Sequence, residues 1–320
     1  MNTWGPTASV ATLRRRAAAL HTTREFFRAR AVLEVETPIL VNAPVSDVNI
    51  GSVKAEMSGQ TGAPLFLHTS PEYAMKRLLA AGSGDIYQLC HVFRGAERGR
   101  QHNPEFTMIE WYRLGFSLEQ LMHEVADLVR AVLGRDLPVE LIGYRDAVRR
   151  HAGFDPLDAD VEELQRAAQA LGLDAHHARA AGRDELLDLI VGAQVGPALG
   201  ASTLTFMHRY PAAQAALARL DPADPRLALR FELYHQGIEL ANGYHELSNA
   251  AEQRMRFAAD QQARQARGLP VASLDQHLLA ALDAGLPDCA GVALGFDRLL
   301  MLALNAASIE DVLAFPTERA

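Results

Sequence analysis

The sequence predicts an α+β fold, with strands in antiparallel-looking pairs and helices gathered between them. Residues 86–94 and 106–114 read as two strands joined by a polar, glycine-bearing loop, and Asn242-Gly243 is a strong signal for a two-residue hairpin. The helical patterns come in blocks and do not alternate one for one with strands, which argues against βαβ units. No internal repeat or low-complexity linker divides the 320 residues. The expectation is therefore one domain over 1–320 with a helical insertion at about 144–200.

Taken in order, Ser9 is a helix N-cap for a helix running through Ala17–Ala31. Val32–Val41 is β-type, but Pro38 demotes it to an edge or interrupted strand. Residues 42–64 read as loop with one short strand, Leu65–His68 as a strand, and Ser70-Pro71 as the start of a helix with proline at its first position. The clearest helix is Ser117–Leu133, where Leu118, Leu121, Met122, Val125, Leu128, Val129 and Val132 form one stripe and Ser117 with Gln120 makes a capping box. A further cap falls at Asp160 and Glu163. Strand character returns at 202–207 and 229–248, helices at 250–267 and 274–285, and 291–304 is strand then helix.

Composition narrows the function. With 49% hydrophobic and 22% charged residues the chain can bury a core without staples. A net charge of −8 argues against a protein whose main task is gripping nucleic acid. Two cysteines, Cys90 and Cys289, without C-x-x-C spacing, fit a reduced compartment and read as small core residues. No stretch approaches the roughly 18–20 apolar residues of a membrane span, and no signal-peptide pattern follows the N-terminus, so a cytoplasmic protein with no membrane partner is expected. Of 31 basic residues only Lys54 and Lys76 are lysines, a compositional bias that lowers the information in any one arginine. His176-His177 reads as a surface pair.

Three constellations are able to carry chemistry. On the strand from Phe106, alternation puts Phe106, Met108, Glu110 and Tyr112 on one face and Thr107, Ile109 and Trp111 on the other. A carboxylate, a phenol and an aromatic ring beside an Arg-rich loop suit a charged small ligand; a half-exposed hairpin with a solvated face fits the same pattern. If Asn242-Gly243 forms its turn, Glu239 faces Glu246. Opposed glutamates repel, which makes sense around a divalent cation such as Mg²⁺, or else as exposed side chains diluted by solvent. In Gly291–Arg298, Gly291, Ala293 and Gly295 face one way and Val292 and Leu294 the other, leaving one face stripped of side chains, for a ligand or for a tightly packed neighbour. Arg298 then falls near a helix start, where an anion is favoured. No P-loop, dinucleotide fingerprint or nucleophile elbow is present.

Together these segments resemble a known family. Val35-Glu-Thr-Pro-Ile-Leu, Phe93-Arg with His102-Asn-Pro-Glu-Phe-Thr, and Gly295-Phe-Asp-Arg298 look like motifs 1, 2 and 3 of class II aminoacyl-tRNA synthetases. Ser70-Pro-Glu-Tyr-Ala-Met-Lys-Arg77 and Gly237-Ile-Glu-Leu-Ala-Asn-Gly resemble the lysyl-tRNA synthetase branch. Phe231-Glu-Leu-Tyr, Gly243-Tyr-His-Glu-Leu and Pro287-Asp-Cys-Ala-Gly-Val-Ala-Leu-Gly are similar to its truncated paralogues that modify elongation factor P. The resemblance implies a class II antiparallel sheet flanked by helices, without the anticodon-binding OB-fold domain, dimeric through the motif 1 region. It implies an ATP-dependent ligase that activates (R)-β-lysine and joins it to a lysine side chain of elongation factor P, with tRNA not expected as a partner.

By position, the resemblance has Ser70, Pro71 and Glu72 lining the amino-acid pocket, with Tyr112 and Glu246 contacting the substrate, Glu110 nearby and Glu72 meeting an amino group. Arg94, with Gly95 and Ala96 after it, and Asn103 would hold ATP phosphates and the adenine region, and Phe106 would stack on the base. Glu239 and Leu240 would sit at ATP, Glu239 and Glu246 at Mg²⁺, Gly295 beneath the nucleotide and Arg298 on the terminal phosphate, with Arg94 and Arg298 the catalytic pair. The family has Asn-Glu after the motif 2 arginine, whereas Gly95-Ala96 stand here with Glu97 one place later. Ala293 stands where lysyl-tRNA synthetases have glycine, so a methyl group reaches the ligand-facing side. Competing readings are a minimal lysyl-tRNA synthetase-like ligase and a non-catalytic lysine-sensing paralogue.

Overall fold

The computed structural model of the chain describes residues 4–56, 64–95, 97–271 and 273–320. Its contacts divide it into two compact units, 1–135 with 246–320, and 136–245. In the first, Ser9 caps α1 (Val10–Arg28), its hydroxyl accepting from the Thr12 N–H. Pro38 interrupts the following β-type run as expected, leaving β1 (Leu33–Glu34) and β2 (Leu40–Val41). Then come β3 (Val53–Ala55), β4 (Leu65–Leu67), α2 (Glu72–Ala80), β5 (Ile86–Phe93), β6 (Glu105–Leu114) and α3 (Leu118–Leu133). The Ser117–Gln120 capping box closes the front of α3, and Gly134 at φ 63° ends it in the left-handed conformation that costs glycine little.

The second unit holds β7 (Val139–Gly143), the helices α4 (Tyr144–Ala152), α5 (Val161–Ala170), α6 (Ala175–Ala180) and α7 (Arg183–Ile190), and the strands β8 (Leu204–Pro211), β9 (Leu227–His235) and β10 (Ile238–His245). The sequence-read helical insertion is thus α4–α7, and Leu164, Leu186, Leu187, Ile190 and Val195 pack with Met207 and Tyr210 of β8 in one core. The strands run in the order β10-β9-β8-β7, antiparallel except for the parallel β7–β8 pair.

The hairpin in this unit corrects the sequence reading. The turn falls at Gln236-Gly237, with φ 51° and 70°, and Asn242-Gly243 lies inside β10. Glu239 therefore pairs with Tyr234, and Asn242 with Glu232, so Glu239 does not face Glu246. The adopted register removes the like-charge pair that the Asn-Gly turn would create. Asn242 serves instead as a cross-strand partner, accepting from Arg230 Nε at 3.3 Å and donating to Tyr244 Oη at 3.1 Å. Leu240 falls at the register shift between Glu239 and Ala241.

The chain returns to the first unit with α8 (Ala250–Ala266), α9 (Gln276–Gly285), β11 (Cys289–Gly295) and α10 (Phe296–Leu304). Its main strands run β1-β5-β6-β11, with β1 parallel to β5 and the rest antiparallel. Alternation sorts them as predicted. Tyr87, Ile109, Trp111, Val292 and Leu294 are buried on one face, and the other presents Gln88, Glu110, Tyr112, Gly291 and Ala293. Cys289 is buried as expected, whereas Cys90 is only half-buried and lies opposite Met108 on that second face.

A single carboxylate fixes how α10 leaves the sheet. Asp297, 1% exposed, accepts from the Thr107 N–H of β6 at 2.7 Å and from Arg16 of α1 at 2.5 Å, while Arg16 also donates to Thr107 Oγ1 at 2.7 Å. Helix, strand and helix meet at one residue. Asp297→Ala strands the Arg16 guanidinium and a main-chain N–H, and is expected to cost about 3 kcal/mol in urea unfolding. A loss under about 1 kcal/mol, the scale of an exposed pair, would show that this junction is not what holds α10.

Candidate active site

The site is built on the second face of the first unit's sheet. Antiparallel register sets Glu110 between Gln88 and Ala293, and Tyr112 between Ile86 and Gly291. Gly291 must lack a side chain: a Cβ there would lie 2.4 Å from Glu246 Oε1 and 2.4 Å from Tyr112 Cε1. Glu246 and the Tyr112 ring thus lie directly on the bare backbone of β11. The stripped face read from the sequence is filled at Gly291 by these two side chains and stays half-open at Ala293 and Gly295.

Five further contacts organise the acidic groups. Ser70 Oγ donates to Glu110 Oε2 at 2.6 Å and accepts from the Glu72 N–H at 3.0 Å, so it ties the start of α2 to β6. Tyr112 Oη donates to Glu110 Oε1 at 2.7 Å. Lys76, one turn further along α2, puts its ammonium 2.7 Å from Glu72 Oε1 and 2.7 Å from Glu246 Oε2. Two carboxylates therefore share one cation, with Glu110 held beside them by two hydroxyls, and Lys76, Glu110 and Glu246 are each 2% exposed. Glu72, Ser70 and Pro71 border a cleft also lined by Leu67, His68, Thr69 and the β2 segment.

Burial governs the protonation of this cluster. It drives Glu110 up to about 8, helped by the neighbouring charge of Glu72 and opposed by the Ser70 and Tyr112 hydroxyls. Burial likewise pushes Glu246 up to about 7, against the pull of Lys76. For Lys76 burial acts downward, but Glu246 and Glu72 outweigh it and hold the ammonium charged above its ordinary range. Tyr112 is held neutral, first by burial and then by Glu110.

Beside this acidic pocket lies an arginine-rich loop. Arg94 stands 5.3 Å over the Phe106 ring, and its NH1 reaches Glu97 Oε1 at 3.4 Å; its Nε is buried without a hydrogen-bond partner. Glu97 folds back on the loop, its N–H donating to the Arg94 carbonyl at 3.3 Å and its Oε2 lying 3.9 Å from His102 Nε2. Arg298, in the first turn of α10, donates from NH2 to His102 Nε2 at 2.5 Å and from Nε to the Gln101 carbonyl at 3.2 Å. That contact requires His102 neutral at Nε2, and burial with the adjacent Arg298 lowers its pKa accordingly. The stem of Arg298 covers Gly295, whose added Cβ would meet Arg298 Cδ at 3.7 Å. Arg94, Glu97, His102 and Arg298 thus form one continuous chain of contacts.

Several expected residues fall elsewhere or do other work. Asn103 is tied into its own loop, donating to the Glu105 carbonyl at 2.6 Å and accepting from the Thr317 N–H at 3.2 Å. Gly95 donates to the Gly51 carbonyl at 2.9 Å, and Ala96 lies outside the described residues. Glu239 and Leu240 belong to the second unit. The divalent site expected of Glu239 and Glu246 does not fit this donor set, because an ammonium already sits on Glu246 Oε2 and the opposed register is absent. No group of three or more His, Cys, Asp or Glu among the described residues converges to hold a metal. His177 is an exposed side chain bonded to Asp174, as its surface reading anticipates. Lys76 and Asp297 were missed although both lie inside quoted motifs; the scarcity of lysine was the signal available for the first.

Comparison with known proteins places these features in context. The model of class II tRNA synthetases (D, K and N) matches residues 6–319. The chain is similar to the protein named elongation factor P–(R)-beta-lysine ligase of Salmonella dublin, 50% identical over 321 residues covering 99% of this chain and 98% of that one. The same identity and coverage hold for the proteins of that name from Salmonella paratyphi B and Salmonella heidelberg. No helix of the described residues is long and apolar enough to cross a membrane.

The raised carboxyl pKa values have a sign that a melt reads. Between the ordinary value of 4.5 and about 8, folded Glu110 binds more proton than the unfolded chain does, so its contribution to stability falls as pH rises through that window and levels above it. Glu110→Gln keeps the neutral form at every pH. The melting temperature of the variant relative to wild type is therefore expected to rise from pH 5.5 to 8.5 in the absence of ligand. A difference that stays flat with pH would refute the buried, neutral Glu110.

Proposed function

The chain belongs to the class II tRNA synthetases (D, K and N), and from that membership we propose that it is an ATP-dependent ligase that attaches (R)-β-lysine to a lysine side chain of elongation factor P. The observation that carries the reading is the dry acidic pocket of Glu72, Glu110 and Glu246 against a strand stripped to Gly291 and Ala293. Such a pocket suits a ligand whose amino groups are charged. Relatives half identical over nearly the whole chain and named for this ligation support the acceptor as a protein amine. The net charge of −8 supports the same choice over tRNA.

The chemistry follows from the arrangement. The carboxylate oxygen of the amino acid attacks the α-phosphorus of ATP in line, and the bond to pyrophosphate breaks. The acceptor amine then attacks the acyl carbon, AMP leaves, and the nitrogen loses a proton. No protein nucleophile is required; positioning and charge neutralisation lower the barrier. Arg94 and Arg298 are the groups for the triphosphate, which would displace Glu97 and His102 from them. Phe106, under Arg94, offers the base a stacking face. Glu72 and Glu246 receive the amino groups, with Glu110 set by Ser70 and Tyr112. Magnesium commonly accompanies ATP, and no step here is routed through it. A second copy of the chain would cover the motif 1 stretch, where Leu33, Ile39 and Leu40 are 55%, 42% and 38% exposed.

ATP–pyrophosphate exchange with (R)-β-lysine, α-lysine or no amino acid tests the reading. Exchange strongest with the β-isomer, followed by labelled transfer to elongation factor P, is the expected result. Exchange with neither amino acid would leave a binding-only protein, and label on tRNA would make it a minimal synthetase. Selectivity has its own variant. The methyl of Ala293, half-buried opposite Glu110, crowds the place of an α-amino group while leaving room for a β-amino group. Ala293→Gly is expected to raise α-lysine use relative to β-lysine by roughly 10-fold, the scale of one methyl in a pocket. An unchanged ratio would remove Ala293 from the account of selectivity.

A further inference from the structure

Lysine is so scarce in this chain that each one asks for a reason: 29 of its 31 basic residues are arginine. Lys54 is an exposed residue paired with Glu56 at 3.0 Å, an ordinary surface contact. Lys76 is different. It is 2% exposed, and its nitrogen is shared by two carboxylates from separate parts of the first unit, Glu72 on the same helix and Glu246 just before α8. Two oxygens at 2.7 Å on one nitrogen need a compact, tetrahedral donor. A guanidinium spreads its donors over a planar fork and pairs best with one carboxylate at a time.

The charge count explains what the ammonium does. Glu72, Glu110 and Glu246 bring three carboxylates close together around Lys76, and burial favours protons on Glu110 and Glu246. A protonated carboxyl cannot receive an ammonium as an ion pair. Lys76 donates a hydrogen bond to Glu72 Oε1 and forms an ion pair with Glu246 Oε2, each at 2.7 Å. The two carboxylates are held apart, one on α2 at the cleft, the other over Gly291. We propose that Lys76 is a positioning residue for the amine end of the substrate: it holds Glu72 and Glu246 in place as two separate receptors and so selects an amino acid carrying two ammonium groups over one carrying a single one. It touches no reacting atom and acts only through the two glutamates. The inference deepens the ligase reading above and rests on it.

The test uses the full-length protein, with (R)-β-lysine as the two-ammonium substrate and 6-aminohexanoate as the one-ammonium comparison. In ATP–pyrophosphate exchange, Lys76→Met is expected to raise KM for (R)-β-lysine by roughly 10-fold or more, because one partner of a buried charge network is gone. KM for ATP and kcat at saturation should stay within about 3-fold, and the preference for (R)-β-lysine over 6-aminohexanoate should shrink. Lys76→Arg is expected to fall with Met and not with wild type. A KM for (R)-β-lysine within about 2-fold of wild type, or a parallel rise in both KM values, would overturn the proposal. Wild-type protein labelled with ¹³C at lysine Cε decides the matter if the variants do not fold. It gives two signals, from Lys54 and Lys76. The Lys76 signal should shift when (R)-β-lysine saturates the site and stay put with ATP alone; a signal unmoved by an amino acid that supports exchange would refute the role. Absence of exchange in wild type would instead count against the ligase reading itself.

Discussion

One buried ammonium makes the rest of the site possible. Three carboxylates on a dry face of a sheet would repel one another or take up protons, and either outcome ruins a receptor for amines. Lys76 offsets this at two of them, its ammonium lying 2.7 Å from one oxygen of Glu72 and one of Glu246. The consequence spreads outward. Glu246 can lie flat on β11 only because Gly291 has no Cβ, and Tyr112 can share that ground for the same reason. Glu110 is satisfied by two hydroxyls, those of Ser70 and Tyr112. Its proton is therefore the one the site most readily holds without ligand.

The arginine side of the site obeys the complementary rule. Two neighbouring guanidiniums need partners, and the loop provides them in Glu97 and His102. One partner is a carboxylate at 3.4 Å and the other a neutral imidazole accepting at Nε2. On the proposed function a triphosphate, carrying more charge than either, would replace them. The direction in which Arg298 leaves the sheet depends in turn on Asp297, which is buried between Arg16 and the Thr107 N–H one residue earlier. A hydrogen-bonded aspartate thereby aims a half-buried arginine.

Much of this was legible in the residues. Period-two alternation assigned the faces of β6 and β11 correctly, since every side chain on the wrong face would have been Trp111, Ile109 or Leu294. Caps at Ser9 and Ser117 located helix starts because their chemistry is local. The hairpin was misread for an equally physical reason. Asn-Gly and Gln-Gly both permit positive φ, and the choice between them was made by cross-strand pairs, Glu239 with Tyr234 and Asn242 with Glu232, which local turn preference does not report. The metal site fell with that turn. Lys76 escaped notice because its partners are remote in sequence; Glu246 comes 170 residues later, and only the folded chain brings them within 2.7 Å.

The same ammonium also bears on side reactions. An activated acyl group is attacked by any neutral amine within reach, and Lys76 is an amine in contact with the residues that receive the substrate. Its lone pair is unavailable, because Glu72 and Glu246 keep the proton on it. An ordinary lysine in a dry pocket would move the other way: desolvation lowers its pKa and frees the nucleophile, which is how catalytic lysines are made. Two carboxylates reverse that outcome. On the proposed function the pocket could therefore hold a lysine beside an activated amino acid, and the nitrogen that attacks would come from outside, carried by the acceptor.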